Sequence, residues 1–368
     1  MQDVIAEDKD VLTVKKRLTG ASDLDYLAAL LHARYSKMAK GERLIELSRI
    51  QNLSDFFQSV YPDKAIADIY DFQKKVIFDF ISELYSLRAY LTREYGSFID
   101  WLATRFQLEN LKILLKGFFT KTPFFRLRHF IVNLPGQLSL NTKKLSEAET
   151  IDDFIKNCPR GFFQDNLKNA IKIFGDRAKP FYIEACLDSA YFKELILKTS
   201  KLKSHDRDYI KAIINQEIDI FHLMLITRGV MQYNLPPELI KIFHVEETAI
   251  PKRVFTNLLK ESDLGVFTKT LEGRVIDVIP VELIKIDQTT APDLSILETL
   301  AWKRFYRLCN KVFYVNHMGF GAIVGYIGLR RIETINLIAL SEGIKGGYGP
   351  DFIRKHLILK DYGEAYHV

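Results

Sequence analysis

The sequence predicts a mainly α-helical protein built from three similar helical domains, and three observations carry that prediction. Apolar residues recur at spacings of three and four along most of the chain, the period of a helix with one buried face. Three of these stretches end alike. ENLKILLKG (109–117), FHLMLITRG (221–229) and INLIALSEG (335–343) superpose Asn110, His222 and Asn336, then Leu111, Leu223 and Leu337, then Gly117, Gly229 and Gly343. The glycines lie 112 and 114 residues apart, and each is followed by proline: Pro123, Pro236 with Pro237, and Pro350. That period divides the chain into units 1–122, 123–236 and 237–368, with 245–290 read as a candidate insertion. Related units packed about a pseudo-symmetry axis leave a central cavity or a concave surface.

Composition bounds the function. A chain of 368 residues, 48% hydrophobic and 27% charged, is ordered and long enough to bury a large core. Its net charge of +6 comes from 52 basic and 46 acidic residues, with Lys15-Lys16-Arg17 the densest run. Nucleic-acid binders concentrate charge more strongly on one face, so these charges read as solvated helix surfaces. Cys158, Cys186 and Cys309 stand far apart without a C-x-x-C, which excludes a zinc ribbon and favours a reducing compartment. The histidines form no ligand-spaced cluster, and the opening MQDVIAEDKD is unlike a signal peptide. No apolar run approaches the roughly 20 residues of a membrane span. No cofactor, metal, nucleic acid or small-molecule substrate is expected.

The elements follow in order. Ser22-Asp-Leu-Asp25 is a capping box that opens a helix through YLAALLHARYSKM (26–38). LSDFFQSVYP (53–62) is a short helix ended by Pro62. From Ile66 to Leu91 the apolar spacing predicts a long amphipathic helix of about 40 Å. Gly96 interrupts it, and FIDWLATRFQLENLKILLKG (98–117) resumes the pattern with Gly117 as C-cap, since glycine adopts a positive φ freely. A second capping box at Thr150 opens IDDFIKNCP (151–159), which resembles the earlier short helix. Helices over 181–197 and 209–229 complete the middle unit. In the last unit, LLKESDLGVFTKTL (258–271) repeats the short helix, Val275 to Ile286 suggests a strand limited by Pro280, and Ser295 to Tyr314 is a long helix.

Residues 311–359 admit two readings. In one, KVFYV is a strand and Gly319-x-Gly321-x-x-x-Gly325 a phosphate loop, giving an NAD(P)-binding oxidoreductase. In the other, the stretch is a packed helix pair, broken at Gly343 and restarted after Pro350. The second is preferred, because a helical pattern precedes Lys311 and no second strand follows. Glycines 321, 325 and 328 also suit a helix pressed against its neighbour. No nucleophile elbow or Walker loop is present. Glu109, Glu217 and Glu333 lie in helical stripes and read as ion-pair partners. Asn110 and Asn336 read as bonding nearby backbone, His222 as a core imidazole with one partner, and Tyr191 and Phe192 as core.

GFGAIVGYIGLRRIETINLIALSEGIKGGYGPDFIRKHL (319–357) resembles the C-terminal signature of one rotor component of V-type and A-type rotary ATPases, called the C subunit, or in eukaryotes the d subunit. Glu333, Asn336, Leu337, Gly343, Pro350, Asp351, Ile353 and Arg354 stand at the signature positions. The Tyr26 helix, with Ala33-Arg34 and Met38, is similar to the family's N-terminal Y-x-x-A-R-x-x-x-M helix. ENLK at 109 and DSAYFKEL at 188 resemble its middle segments. The first residues lack the usual aromatic opening, and region 245–290 is atypical. The resemblance implies a funnel-like, non-catalytic rotor subunit, peripheral on the cytoplasmic face of the membrane. Its implied partners are the central-stalk subunits and the membrane proteolipid ring.

Overall fold

The computed structural model describes residues 21–175, 179–277, 295–317 and 319–359. Helix α1 (Ala21–Ser36) is followed by the short α2 (Glu42–Leu47) and α3 (Leu53–Val60), and then by a long pair, α4 (Ile69–Arg88) and α5 (Arg93–Thr120). Short helices α6 (Phe124–Leu127), α7 (Thr142–Ser146), α8 (Ile151–Asn157) and the longer α9 (Phe162–Phe174) lead to a second long pair, α10 (Pro180–Ser200) and α11 (Ser204–Met224). Helices α12 (Pro237–Ile240), α13 (Lys252–Leu258) and α14 (Leu264–Leu271) precede the third pair, α15 (Ser295–Val315) and α16 (Phe320–Lys345), and α17 (Pro350–Lys355) follows. Among the described residues no strand forms; an isolated bridge between Glu272 and Ile276 closes a turn.

The long pairs make the frame. Each pair packs internally, α5 packs on α10, α11 on α15, and α16 on α4, so the six helices close into a ring. One large core runs through all three pairs. A second core joins distant parts of the chain: Leu44, Phe56, Phe72 and Val76 pack with Leu337, Leu340, Ile344 and Ile353. The expected units 1–122 and 237–368 therefore share a core.

Each long pair is preceded by a short helix with the same start. Asn52, Thr150 and Asp263 accept a hydrogen bond from the amide three residues on, at 2.8, 3.1 and 3.0 Å. Such caps satisfy one of the free amides of the first turn and are worth about 1 kcal/mol each. Four residues after each cap comes a fully buried phenylalanine: Phe56, Phe154 and Phe267. The cap fixes the first turn, and the aromatic anchors it in the core.

Several expectations are corrected. Helix α4 starts at Ile69, because Asp68 caps it through the Asp71 amide, so its 20 residues span about 30 Å rather than 40. Helix α5 runs unbroken through Gly96, whose missing side chain leaves room for Arg88 to cross and bind Asp100 at 3.0 Å. KVFYV is the end of helix α15, in keeping with the preferred reading of the stretch. The part of the expected strand that is described, Val275 to Asp277, is a turn with Val275 and Ile276 fully buried; the rest lies outside the described residues. The side chains of the Ser22 capping box and the Lys15–Arg17 run also lie outside them. Within the candidate insertion, Ile250, Phe255, Phe267 and Leu271 are fully buried members of the main core.

Candidate functional site

Gly117, Gly229 and Gly343 do not end their helices. Each lies inside a helix and has no positive φ. The left-handed residue comes later, at Lys121, Asn234 or Gly347, with φ of 52°, 49° and 69°. The next amide, of Thr122, Leu235 or Tyr348, donates back to the carbonyl of the glycine at 2.9, 2.9 and 3.1 Å. Around Gly117 and Gly343 this is the Schellman arrangement, which satisfies otherwise orphaned carbonyls. Around Gly229 the return spans one more residue, and there the chain winds as a π-helix over Leu225–Gln232. The extra residue of the middle copy is absorbed in that winding, and the donors Thr122, Leu235 and Tyr348 are spaced by 113 residues in both intervals.

The glycines serve close approach. A Cβ on Gly117 would lie 2.2 Å from Leu127, on Gly229 3.2 Å from Ile240, and on Gly343 2.8 Å from Ile353. These three aliphatic side chains belong to the short helix that follows each long one. Pro350 is the first residue of α17, where its missing N–H costs nothing.

Asn110, His222 and Asn336 hold the chain that returns beyond those short helices. The Asn110 amide donates to Val132 O at 2.7 Å and accepts from Val132 N at 3.0 Å. Asn336 does the same to Ile358, at 2.9 and 2.8 Å. His222 Nε2 accepts from Val245 N at 3.0 Å and can offer no matching donor to the same residue. Its ring, fully buried, stacks on His244 with centroids 4.6 Å apart, and its Nδ1 faces Asp219 at 3.5 Å. Burial lowers the His222 pKa, and Asp219 offsets part of that shift. The leucines beside them, Leu111, Leu223 and Leu337, are all buried.

Five residues before these three positions stand Arg105, Glu217 and Arg331. Glu217 Oε1 accepts from Arg105 at 2.9 Å and from Arg331 at 2.5 Å, so one carboxylate joins α5, α11 and α16. Burial raises the pKa of Glu217, but Arg331 and then Arg105 outweigh it, and the net shift is downward. Arg105 also reaches Glu109 at 3.4 Å, and Lys112 binds Glu109 at 2.9 Å and Asp188 at 3.1 Å. This network is the expected ion-pair role of Glu109 and Glu217. That the three positions meet was not foreseen, although the repeat alignment itself places them in register.

The network divides the space inside the ring. On one side is a cavity of about 330 Å³ lined by side chains from all six long helices, among them Phe80, Leu102, Tyr191, Ile213, Phe305 and Ile327. On the other is a cavity of about 440 Å³ with a charged wall that includes Lys112, Lys116, Glu184, Asp188 and Arg228. Arg105, Glu109, Glu217 and Arg331 line both.

A second ionic chain ties α1 to the frame. Arg34 lies 3.5 Å from Glu83, Glu83 binds Arg330 at 3.0 Å, and Arg330 pairs with Glu333, which also accepts the Ala39 amide. Burial raises the Glu333 pKa, and Arg330 opposes that shift. Arg354 reaches Ser48 Oγ at 3.2 Å, bringing α17 to α2.

The proposed phosphate loop is a packing seam. Gly319 precedes α16, and Gly321 is buried in its first turn. A Cβ on Gly325 would lie 2.7 Å from Cys309 O and 2.9 Å from Phe313 N, and one on Gly328 2.3 Å from Cys309 Sγ. The backbone of α15 occupies the space a phosphate would need, so the nucleotide reading is set aside.

Comparison with known proteins identifies a family. Residues 27–356 match the family described as ATP synthase (C/AC39) subunit. The chain is 20% identical over 339 residues to the A-type ATP synthase C subunit of Methanosphaera stadtmanae, covering 91% of this chain and 87% of that protein. It is 19% identical over 358 residues to the protein of the same name from Methanocaldococcus jannaschii, covering 95% and 89%. The match takes in α5, α11 and α16 with all three of their closing motifs, and the chain belongs to the ATP synthase (C/AC39) subunit family.

Proposed function

We propose that this chain is the non-catalytic rotor subunit that joins the central stalk of a V/A-type ATPase to its membrane proteolipid ring. It passes torque between ATP hydrolysis or synthesis and ion translocation. The observation that carries the reading is the closed ring of six helices around a divided cavity, pinned at its centre by Glu217. A part that transmits torque must not shear, and a carboxylate shared by three helices resists sliding of any one against the others. In this reading the units 1–122, 123–236 and 237–368 are three copies of one structural unit, and the cavity receives the tip of the stalk. Among the described residues no helix is long and apolar enough to cross a membrane, which suits a peripheral position on the cytoplasmic face. The net charge of +6 favours an acidic stalk tip, an attraction that salt would weaken.

The test is reconstitution of the ATPase with and without this chain. Without it, ATP hydrolysis by the soluble head should persist while ion transport is lost. Ion transport that continues undiminished in its absence would remove the coupling role.

A further inference from the structure

Between Glu109 and Glu147 the chain has no acidic residue and seven lysines or arginines, from Lys112 to Lys144, in a protein whose overall excess is only +6. The same stretch holds Phe118, Phe119, Phe124, Phe125 and Phe130. In the fold its middle part, around α6, lies on the surface. Phe125 is 59% and Phe130 54% exposed, and Lys121, Arg126 and Arg128 are exposed beside them. Among the described residues none of these three bases has an acid within ion-pair distance; Arg126 lies over the Phe125 ring instead. The surface continues across neighbouring elements. Phe130 meets Tyr70 edge-on at 5.4 Å, Lys345 lies 5.1 Å over Tyr70, and beyond Lys345 the exposed Tyr348 and Phe352 stack at 4.6 Å. Two acids stand at that end: Asp351 lies 3.4 Å from Arg354, and Glu342 accepts a hydrogen bond from Gln73.

We infer that this face, centred on Lys121, Phe125, Arg126 and Arg128, docks on an anionic lipid surface. Exposed aromatic rings set among unpaired bases match the boundary of a bilayer, where rings enter the headgroup layer and bases meet anionic lipid. Exposed rings beside unpaired bases, rather than bases alone, select the lipid surface over an acidic protein. Lys121, Phe125, Arg126 and Arg128 line neither of the central cavities, while Lys345, Tyr348 and Phe352 border a groove at the end of α16. The contact is read out with neither stalk nor ring present.

The experiment is co-sedimentation of the full chain with vesicles of phosphatidylcholine alone and of phosphatidylcholine containing phosphatidylserine. Binding is expected only to the anionic vesicles and should weaken as salt rises. The double change Arg126→Gln with Arg128→Gln should reduce it about 25-fold, at about fivefold per base. Phe125→Ser should weaken it without altering its salt dependence, and it serves as the second probe if the double variant loses helical circular dichroism. Equal binding to both vesicles, no binding to either, or an unchanged double variant overturns the inference. A chain that ignores vesicles but loses an acidic protein partner in the double variant overturns it in favour of a protein contact.

Discussion

At the scale of single residues, the interior is specified by polar groups whose partners are distant in sequence. Glu217 is 6% exposed and faces two guanidinium groups. Glu217→Gln removes the compensating charge and leaves Arg105 and Arg331 confronting each other, at an expected cost of about 3–5 kcal/mol measured by urea unfolding. His222 gives a pH dependence of definite sign. Its folded pKa is lowered from 6.5, so above pH 6.5 both states hold it neutral and its bond to Val245 is intact. As pH falls from 6.5 toward the lowered folded value, only the unfolded chain takes up the proton. Stability then declines by at most about 1.4 kcal/mol per pH unit from this group. Protonation also turns Nε2 from acceptor to donor against the Val245 N–H. His222→Asn, the residue used at 110 and 336, should remove that decline. Unfolding midpoints of the two proteins between pH 4.5 and 7.5 should diverge on the acid side, and parallel profiles would rule the assignment out. These roles were partly legible: the sequence marks 110, 222 and 336 as equivalent. The Arg–Glu–Arg contact was not, because its members alternate in sign and show no common residue type.

At the scale of elements, helix existence was readable from apolar periodicity, whereas helix ends were not. A glycine at the close of an apolar stripe suggests a C-cap, yet the left-handed positions belong to Lys121, Asn234 and Gly347, and only the last is a glycine. The geometry shared by the three ends lies in the backbone bond and in the aliphatic side chain pressed on the inner glycine, neither of which has a one-residue signature. Of the short-helix starts only Thr150 was legible as a cap; Asn52 and Asp263 carry the same signature with a phenylalanine four residues on, and the third helix begins at Leu264 rather than Leu258. The glycine seam between α15 and α16 yields a sharper test. Gly325→Ala places a methyl against the backbone of Cys309 and Phe313, which cannot rotate away, and should cost about 1–3 kcal/mol. Thermal unfolding measures that loss. A variant that is as stable as the parent but altered in nucleotide binding would revive the cofactor reading.

At the scale of the whole molecule, the six long helices form a circuit, and the circuit is closed by α16 against α4. Gln73 reaching Ser341 and Glu342, and the Arg34–Glu83–Arg330 chain, reinforce that closure. The sequence repeat implied three units but not that the first and third would share a core, because the pairing of Phe72 and Val76 with Leu340 and Ile344 is invisible to local pattern. Closure of this kind has a consequence for synthesis. Helix α4 emerges from the ribosome long before α16, by roughly 13–50 s at 5–20 residues per second. Throughout that interval Phe72 and Val76 have only the short helices α2 and α3 for native cover, and the side later taken by α16 is open to chaperones or to other nascent chains. Chains stalled before Leu337 should therefore be cut readily by protease within α4, whereas chains released after Leu359 should resist, and pulse proteolysis of stalled complexes would measure the difference. The last long helix to leave the tunnel is the one that shields the first long helix made.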